Sequence, residues 1–118
     1  MVTFDKVKNS GKVRKMKSGV KRDRSKGKGR YDLLPPEAIR RLAKHYENGA
    51  KIYGDRNWEI GMPLSWLIDS ALRHIFQILE RDQSEDHAAA ALWNIAGFIT
   101  MQERIEKGDL LKELDDLK

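Results

Sequence analysis

Apolar side chains recur at steps of three and four residues in three successive segments of this chain, and this helical period limits the possible fold more than any other feature. The first segment follows Pro35 and Pro36, and the second follows Pro63. Proline suits the first helical position because the N–H that it lacks would have no partner there. No segment shows the alternation typical of a strand. The sequence therefore predicts an all-α fold, a small bundle of three to four helices.

Residues that start or stop helices set the expected boundaries. Gly54 ends the first helix, and Gly108 separates the third from a short acidic fourth helix. We expect Ser84 to cap the third helix, with Glu85 and Asp86 in its first turn. The faces that we expect to be buried are Ile39, Leu42, Ala43, Tyr46, Ala50 and Tyr53 on the first helix, Leu64, Leu67, Ile68, Ala71, Leu72, Ile75 and Leu79 on the second, and Ala88, Ala91, Leu92, Ile95, Phe98 and Ile99 on the third.

The net charge of +5 averages two unlike parts of the chain. Residues 1–30 carry twelve basic and two acidic side chains, whereas residues 31–118 carry eleven basic and sixteen acidic ones. The first part is rich in Gly, Ser and Lys, which predicts a basic, flexible arm ahead of a helical domain at residues 31–118. Such an arm is either a solubilising tail or a non-specific contact for nucleic acid.

Composition excludes several classes of site. The chain has no cysteine, so disulfides, thiolate zinc sites and cysteine nucleophiles are ruled out. No apolar run approaches the roughly 20 residues that cross a bilayer, so we expect neither a membrane span nor a secretory signal, and a cytoplasmic location. P-loop, dinucleotide-binding, catalytic-triad and zinc motifs are also missing.

A second stripe on the third predicted helix is made of small and polar residues. It consists of His87, Ala90, Asn94, Gly97 and Met101. One interpretation is a groove that holds a base or sugar against the amide of Asn94. The other is close helix packing through Ala90 and Gly97, with Asn94 bonded to neighbouring backbone. The sequence leaves both open.

The connector after the first helix is dense in functional groups. Arg56 can grip phosphate with two hydrogen bonds, Asn57 can cap a helix or bind a ligand, and Trp58 can stack on a base or anchor the loop in the core.

Carboxylates on several helices are the remaining chemical feature. They are Glu47, Asp69, Glu80 and Asp86. If they converge in the bundle, they make a site for Mg²⁺ or Mn²⁺, which can neutralise phosphate oxygens and activate water. Asp69 and Arg73 also fit an ordinary surface ion pair. His74 can titrate near neutral pH or bind a metal, or be structural.

Four blocks of residues together resemble a phage and bacterial family, the N-terminal domain of dATP/dGTP diphosphohydrolase, related to MazG-like all-helical nucleotide pyrophosphohydrolases. The blocks are Arg30-Tyr31-Asp32-Leu33 with Pro35-Pro36; Gly49-Ala50-Lys51 with Tyr53-Gly54 and Asn57-Trp58; Ala71-Leu72-Arg73-His74; and Asp86-His87 with Asn94. They span about residues 26–102. The resemblance implies an all-helical fold, dependence on Mg²⁺ or Mn²⁺, release of pyrophosphate from a nucleoside triphosphate, and a homo-oligomer in which a partner subunit completes the bundle.

The chain departs from the MazG-like pattern at its metal motif. MazG-like enzymes carry Glu-x-x-Glu followed by Glu-x-x-Asp on adjacent helices, and no such pair stands here. Arg73-His74 and Asp86-His87 occupy the corresponding helices, and Ala90 stands where some relatives have histidine. Either the metal shell differs or catalysis has been lost.

The leading hypothesis is metal-dependent hydrolysis of purine deoxynucleoside triphosphates to the monophosphate and pyrophosphate, in the host cytoplasm if the chain is phage-encoded. The expected roles are metal binding by Glu47, Asp69 and Asp86, catalysis by His74, His87 and Asp86, phosphate binding by Lys51, Arg56 and Arg73, and nucleoside binding by Asn57, Trp58 and Asn94. The alternative is a non-enzymatic phage accessory protein with a nucleic-acid-binding arm and a helical oligomerisation domain. A nucleotide sensor without turnover is a third possibility.

Overall fold

The computed structural model describes residues 12–23 and 26–118. Residues 1–11, 24 and 25 of the predicted basic arm lie outside the described residues. The described chain forms two compact units, one ending at Leu34 and the other spanning Pro35–Lys118. The second unit is helical, so the predicted all-α class is confirmed, and the first contains a minor two-stranded sheet.

The two strands, β1 (Val13–Lys15) and β2 (Lys21–Asp23), form an antiparallel hairpin that the sequence pattern did not predict. Gly19 has φ 90° in the turn, a conformation that glycine adopts without a steric penalty. Like charges face each other across the pair, with Arg14 opposite Arg22. Almost every side chain of the strands is exposed, so no apolar core among the described residues supports the hairpin.

The first helix, α1 (Pro36–Tyr53), has the predicted bounds. Proline lies at its start, and Gly54 ends it with φ 90° while donating its N–H to the Ala50 carbonyl at 2.8 Å. Its expected apolar face is only half-buried at best. The helix packs against α3, and few of its residues approach α2.

The second helix, α2 (Leu64–Leu79), begins after Pro63 as predicted. Its start is held by the C-terminal segment, because Asp116 accepts hydrogen bonds from the backbone N–H and the hydroxyl of Ser65. The N–H at this position has no partner within the helix, so the carboxylate acts as a cap supplied from a distant part of the chain. The predicted fourth helix is reduced to a 3₁₀ turn at Lys112–Leu114.

The third helix, α3 (His87–Glu106), starts later than expected. The prediction that Ser84 caps it is wrong: Asp86 is the cap and accepts the Ala89 N–H at 3.1 Å. Ser84 donates its hydroxyl to Asp82 instead. A carboxylate at this position reaches the amide three residues on, which the Ser84 hydroxyl does not do here.

The buried face of α3 includes the small and polar stripe, so the prediction is confirmed for Ala91 and for Phe98, which packs on the core, and wrong for the rest of the expected face. His87, Ala90, Asn94, Gly97 and Met101 are buried, whereas Leu92, Ile95 and Ile99 are exposed. The small residues let α2 approach closely, and a Cβ added at Gly97 would lie 3.3 Å from Leu67. The core is formed by Leu64, Leu67 and Met101, with Trp58, Met62, Trp93, Phe98, Ile105 and Leu110 around it.

Large apolar side chains are left exposed on both α2 and α3. This open face consists of Leu72, Ile75, Phe76 and Leu79 on α2 and Leu92, Ile95 and Ile99 on α3. The prediction that Leu72, Ile75 and Leu79 are buried is therefore wrong for this chain taken alone. Trp93 faces α1, and the helical rotation turns the α3 members of the open face away from it. In the described residues no helix has the length and apolar character needed to span a membrane.

Candidate functional site

A cleft of about 1170 Å³ lies within the helical unit, between α1 with its following loop and the pair α2 and α3. Its volume is large enough for a ligand the size of a nucleotide. Its lining includes His45, Tyr46, Arg56, Asn57, Trp58, Trp66, Ser70, His74, Glu85, Trp93 and Asn94.

One side of the cleft is an aromatic wall formed by His45, Tyr46, Trp58 and Trp93. Tyr46 lies between the two indoles, with ring centroids 5.9 Å from each. His45 packs on Trp93 at 5.8 Å. Burial raises the pKa of Tyr46 above its ordinary value. Rings held at these distances offer flat apolar surfaces on which a planar ligand can stack.

The loop after α1 is held in place by charged side chains. Arg104 lies over the ring of Trp58, with its guanidinium carbon 5.2 Å from the centroid, and donates to Glu59 at 3.2 Å. Arg56 also donates to Glu59, at 3.3 Å. Arg56 has φ 60°, a left-handed conformation uncommon outside glycine. Trp58 is therefore both an anchor of the loop and part of the cleft.

A cluster of His74, Glu85 and His87 lies at the α2–α3 side of the cleft. Nδ1 of His74 is 2.9 Å from Nδ1 of His87 and 4.0 Å from the Glu85 carboxylate. The ligand atoms of all three residues lie within 4.8 Å of one another. In the part of the chain that the structure describes, no other group of three such side chains converges in this way.

Asp82 completes the surroundings of the histidine cluster. Its carboxylate contacts Nε2 of His87, which is 3 % exposed. When the Nε2 hydrogen of neutral His87 is donated to Asp82, Nδ1 presents a lone pair toward Nδ1 of His74. Two lone pairs at that distance repel, so a proton or a cation between the nitrogens is needed. A carboxylate that orients an imidazole in this way is typical of metal-binding histidines.

The pKa shifts in the histidine cluster agree with this arrangement. Burial is the largest influence on His74 and lowers its pKa, which favours the neutral form that binds metals. Hydrogen bonds from Ser84 and then His87 lower the pKa of Asp82, so its carboxylate is ionised at neutral pH. The donor set of two imidazoles and a carboxylate fits a divalent transition metal better than Mg²⁺, which prefers oxygen ligands throughout.

The carboxylates that the sequence singled out as metal ligands are each engaged by a nearby cation. Glu47 lines the cleft and pairs with Lys44 and Lys51, at 3.1 and 3.4 Å. The side chain of Asp69 is 83 % exposed and lies 3.5 Å from Arg73. The metal-binding roles of Glu47 and Asp69 stay predictions.

Asp86, expected to bind metal or act in catalysis, connects two helices. It accepts two hydrogen bonds from Arg41 of α1, the one from Nε at 2.8 Å, while it caps α3. Arg41 is the largest cause that lowers the pKa of Asp86, to about 2. This contact ties α1 to the start of α3, beside Glu85 and His87.

The predicted substrate-binding residues divide into two groups. Arg56, Asn57, Trp58 and Asn94 line the cleft. Lys51 and Arg73 do not line it, although Arg73 donates to Ser70, which does.

Several residues of the site were not predicted from the sequence to be functional. Glu85 was expected only at a helix start and Tyr46 only on the apolar face of α1, while Asp82, Trp93 and His45 were given no role. The available signal for a metal site was the spacing of Glu85 and His87, which lie two residues apart at the start of α3. Their approach to His74 depends on the loop Arg81–Asp86, where Arg81 has φ 62°, and sequence period gives no information on such a loop.

Both interpretations of the small and polar stripe on α3, close helix packing and a ligand groove, agree in part with the structure. Gly97 packs against Leu67, and Asn94 donates Nδ2 to the Ala90 carbonyl at 2.8 Å, as the packing interpretation required. Asn94 nevertheless also lines the cleft.

Comparison with known proteins agrees with the resemblance found in the sequence. Residues 18–110 match the family described as dATP/dGTP diphosphohydrolase, N-terminal. No curated protein and no solved structure matches the chain. The matched span contains all three helices, the aromatic wall and the histidine cluster. The chain therefore belongs to the dATP/dGTP diphosphohydrolase N-terminal family.

Proposed function

We propose that this chain hydrolyses purine deoxynucleoside triphosphates to the monophosphate and pyrophosphate with the help of a divalent cation. The observation that carries the proposal is the combination, in one cleft, of an aromatic wall with the histidine cluster. The family description, which names a diphosphohydrolase of dATP and dGTP, supplies the reaction and the substrates.

The cation would be held by His74, Glu85 and His87. A divalent metal there neutralises phosphate oxygens and makes a bound water more acidic. Of the two ions expected, Mn²⁺ accepts imidazole nitrogen more readily than Mg²⁺, so we propose Mn²⁺ as the preferred metal. Asp82 would orient His87 through the Nε2 contact.

The other side chains of the cleft would position the nucleotide. The rings of Trp58 and Trp93 present surfaces for the purine, and Asn57 lies beside them on the same loop as Trp58. Arg56 would hold phosphate oxygens, with Lys51 and Arg73 at the rim of the cleft. Asp86 would act as a positioning residue, because its bonds to Arg41 and Ala89 fix the start of α3 next to the histidine cluster.

The test is pyrophosphate release from each dNTP and NTP with Mn²⁺, with Mg²⁺ and with a chelator. His74→Ala and Glu85→Gln should each abolish turnover, while Glu103→Gln, which changes an exposed carboxylate on α3 outside the cleft, should retain it. Asp69→Asn tests whether Asp69, which the sequence predicted to bind the metal, contributes to turnover. Metal-dependent turnover that survives both cluster variants would contradict the site, and no turnover with any nucleotide would refute the function.

We also propose that the open face binds a second copy of the chain. Its seven side chains expose on the order of 600 Å² of apolar surface, which approaches the roughly 800 Å² that each partner buries in an interface of standard size. Two copies related by a two-fold axis would cover the same face on each other and convert the pair α2 and α3 into a four-helix bundle. The resemblance to MazG-like enzymes implied a homo-oligomer in which a partner subunit completes the bundle, without giving the number of subunits.

A nucleic-acid contact through the N-terminal segment is the second candidate function, and the hairpin favours it. Arg14 faces Arg22 and Lys15 faces Lys21, and such like-charge pairs cost stability unless an anion neutralises them. Arg14→Glu with Arg22→Glu should reduce the slope of log affinity for duplex DNA against log salt by about two. Arg40→Glu with Lys112→Glu is the control with the same change of charge. Equal slopes would reject this contact, and hydrolysis should be unaffected by either pair.

A further inference from the structure

Asn94 is a buried residue that lines the cleft, and its side-chain oxygen accepts no hydrogen bond from the described residues. The residue is 5 % exposed and donates Nδ2 to the Ala90 carbonyl. Oδ1 is not one of the fully buried unpaired atoms, so solvent or a ligand in the cleft can reach it. An acceptor in this position is suited to a ligand that brings an N–H group into the cleft.

The position of Asn94 along α3 relates it to the histidine cluster. Asn94 and His87 lie on the same buried stripe, seven residues apart, which is a rise of about 10 Å along the helix. A nucleotide extends in this way from its phosphates to the edge of its base. Trp93, the neighbour of Asn94 in the chain, belongs to the aromatic wall that would stack on the base.

We propose that Oδ1 of Asn94 accepts a hydrogen bond from an amino group of the purine, and that it thereby selects aminopurine nucleotides. This inference rests on the proposed function and adds to it the atom that reads the base. Ala90 accepts one of the two Nδ2 hydrogens, which fixes the orientation of the amide and leaves Oδ1 free to accept a hydrogen bond. A purine without an exocyclic amino group leaves Oδ1 unpaired and binds less well.

The test compares dATP with the triphosphate of unsubstituted purine deoxyriboside, which has the same ring but no amino group. The wild-type chain should prefer dATP in kcat/KM by about a hundredfold, since a site built around a hydrogen bond rejects ligands that leave its polar group unpaired. Asn94→Leu should lower kcat/KM for dATP and leave that for the unsubstituted purine within about threefold of wild type.

Gln77→Leu is the matched control. Oε1 of Gln77 is buried without a hydrogen-bond partner, and Gln77 does not line the cleft. This variant should keep the full preference for dATP. Loss of the preference in both variants would show that any removal of a buried amide has the same effect, and would overturn the role of Asn94.

Equilibrium binding of dAMP and of the unsubstituted purine monophosphate, measured on the wild-type chain without metal, separates this inference from the proposed function. Tighter binding of dAMP supports it even if no triphosphate is hydrolysed, and the comparison stands if Asn94→Leu fails to fold. Equal binding of the two monophosphates would refute recognition of the amino group by Asn94, but it would not contradict the proposed hydrolysis. Tighter binding of dCMP than of dAMP would show that the cleft selects another aminated base, and would also overturn it.

Discussion

Binding of Mn²⁺ at the histidine cluster should raise the thermal stability of the chain in the absence of nucleotide. A ligand that binds only the folded state stabilises it by RT ln(1 + [L]/Kd), which is about 2.7 kcal/mol at one hundred times Kd. For a helical unit of this size each kcal/mol raises Tm by roughly 4–8 °C. The expected increase is therefore roughly 10–20 °C at saturating Mn²⁺.

The geometry of the cluster makes this prediction specific to the metal and to the residues. Two of the three donors are imidazole nitrogens, so Mg²⁺ at the same concentration should give a much smaller increase. His74→Ala removes one donor from a group whose ligand atoms lie within 4.8 Å of one another, and should abolish most of the increase with Mn²⁺.

Differential scanning fluorimetry over a series of metal concentrations measures both effects. His45→Ala is the matched control, because His45 lies in the same cleft and packs on Trp93 but is not part of the cluster. It should retain the full response to Mn²⁺. The reasoning would be refuted if His74→Ala and His45→Ala responded equally, or if Mg²⁺ stabilised the wild-type chain as strongly as Mn²⁺.

Three further predictions concern assembly and stability. Phe76→Glu on the open face should convert a dimer to a monomer in sedimentation velocity without loss of helical circular dichroism, and a persistent dimer would exclude this face as the interface. Asp116 has a pKa lowered chiefly by the Ser65 hydroxyl, so its contribution to stability is present above the unfolded pKa of about 4 and is lost as pH falls through the lower folded value. Asp116→Asn should therefore flatten the acid limb of a plot of Tm against pH, and an unchanged limb would mean that the cap contributes nothing. Leu67→Ala should cost about 2–5 kcal/mol in urea unfolding because it opens a cavity in the core, whereas the same change at exposed Leu111 should cost less than about 0.5 kcal/mol, and similar costs would contradict the assignment of the core.

The helix boundaries could be predicted because single residues determine them. Pro36 and Pro63 favour helix starts through their fixed φ, and Gly54 ends α1 in a conformation that other residues rarely adopt. The start of α3 was missed because Ser84 and Asp86 are both good caps, and the choice between them depended on Arg41, which is 45 residues away from Asp86. The capping preference of a residue type gives no information on a partner so distant in the sequence.

The faces of α3 could not be predicted from hydrophobicity alone. The prediction took the largest apolar residues to be the buried ones, and it therefore placed Leu92, Ile95 and Ile99 in the core. The structure buries Ala90 and Gly97 instead, because small residues allow α2 to approach. If the open face pairs with a second copy, both stripes of α3 are buried in the assembly, and the original expectation fails only for the single chain.

The histidine cluster bears on the choice between a different metal shell and lost catalysis. His87 is buried and its Nε2 is occupied by Asp82, so its Nδ1 can meet Nδ1 of His74 favourably only through a shared proton or a cation. A shared proton satisfies the two nitrogens and gives no role to Glu85, whose side chain is 55 % exposed. A divalent cation, in contrast, is satisfied by both imidazoles and by the Glu85 carboxylate together, and the charge of Asp82 stabilises it further. The donor set therefore fits a metal shell built on histidine in place of the Glu-x-x-Glu pair, which is the alternative that the proposed function requires.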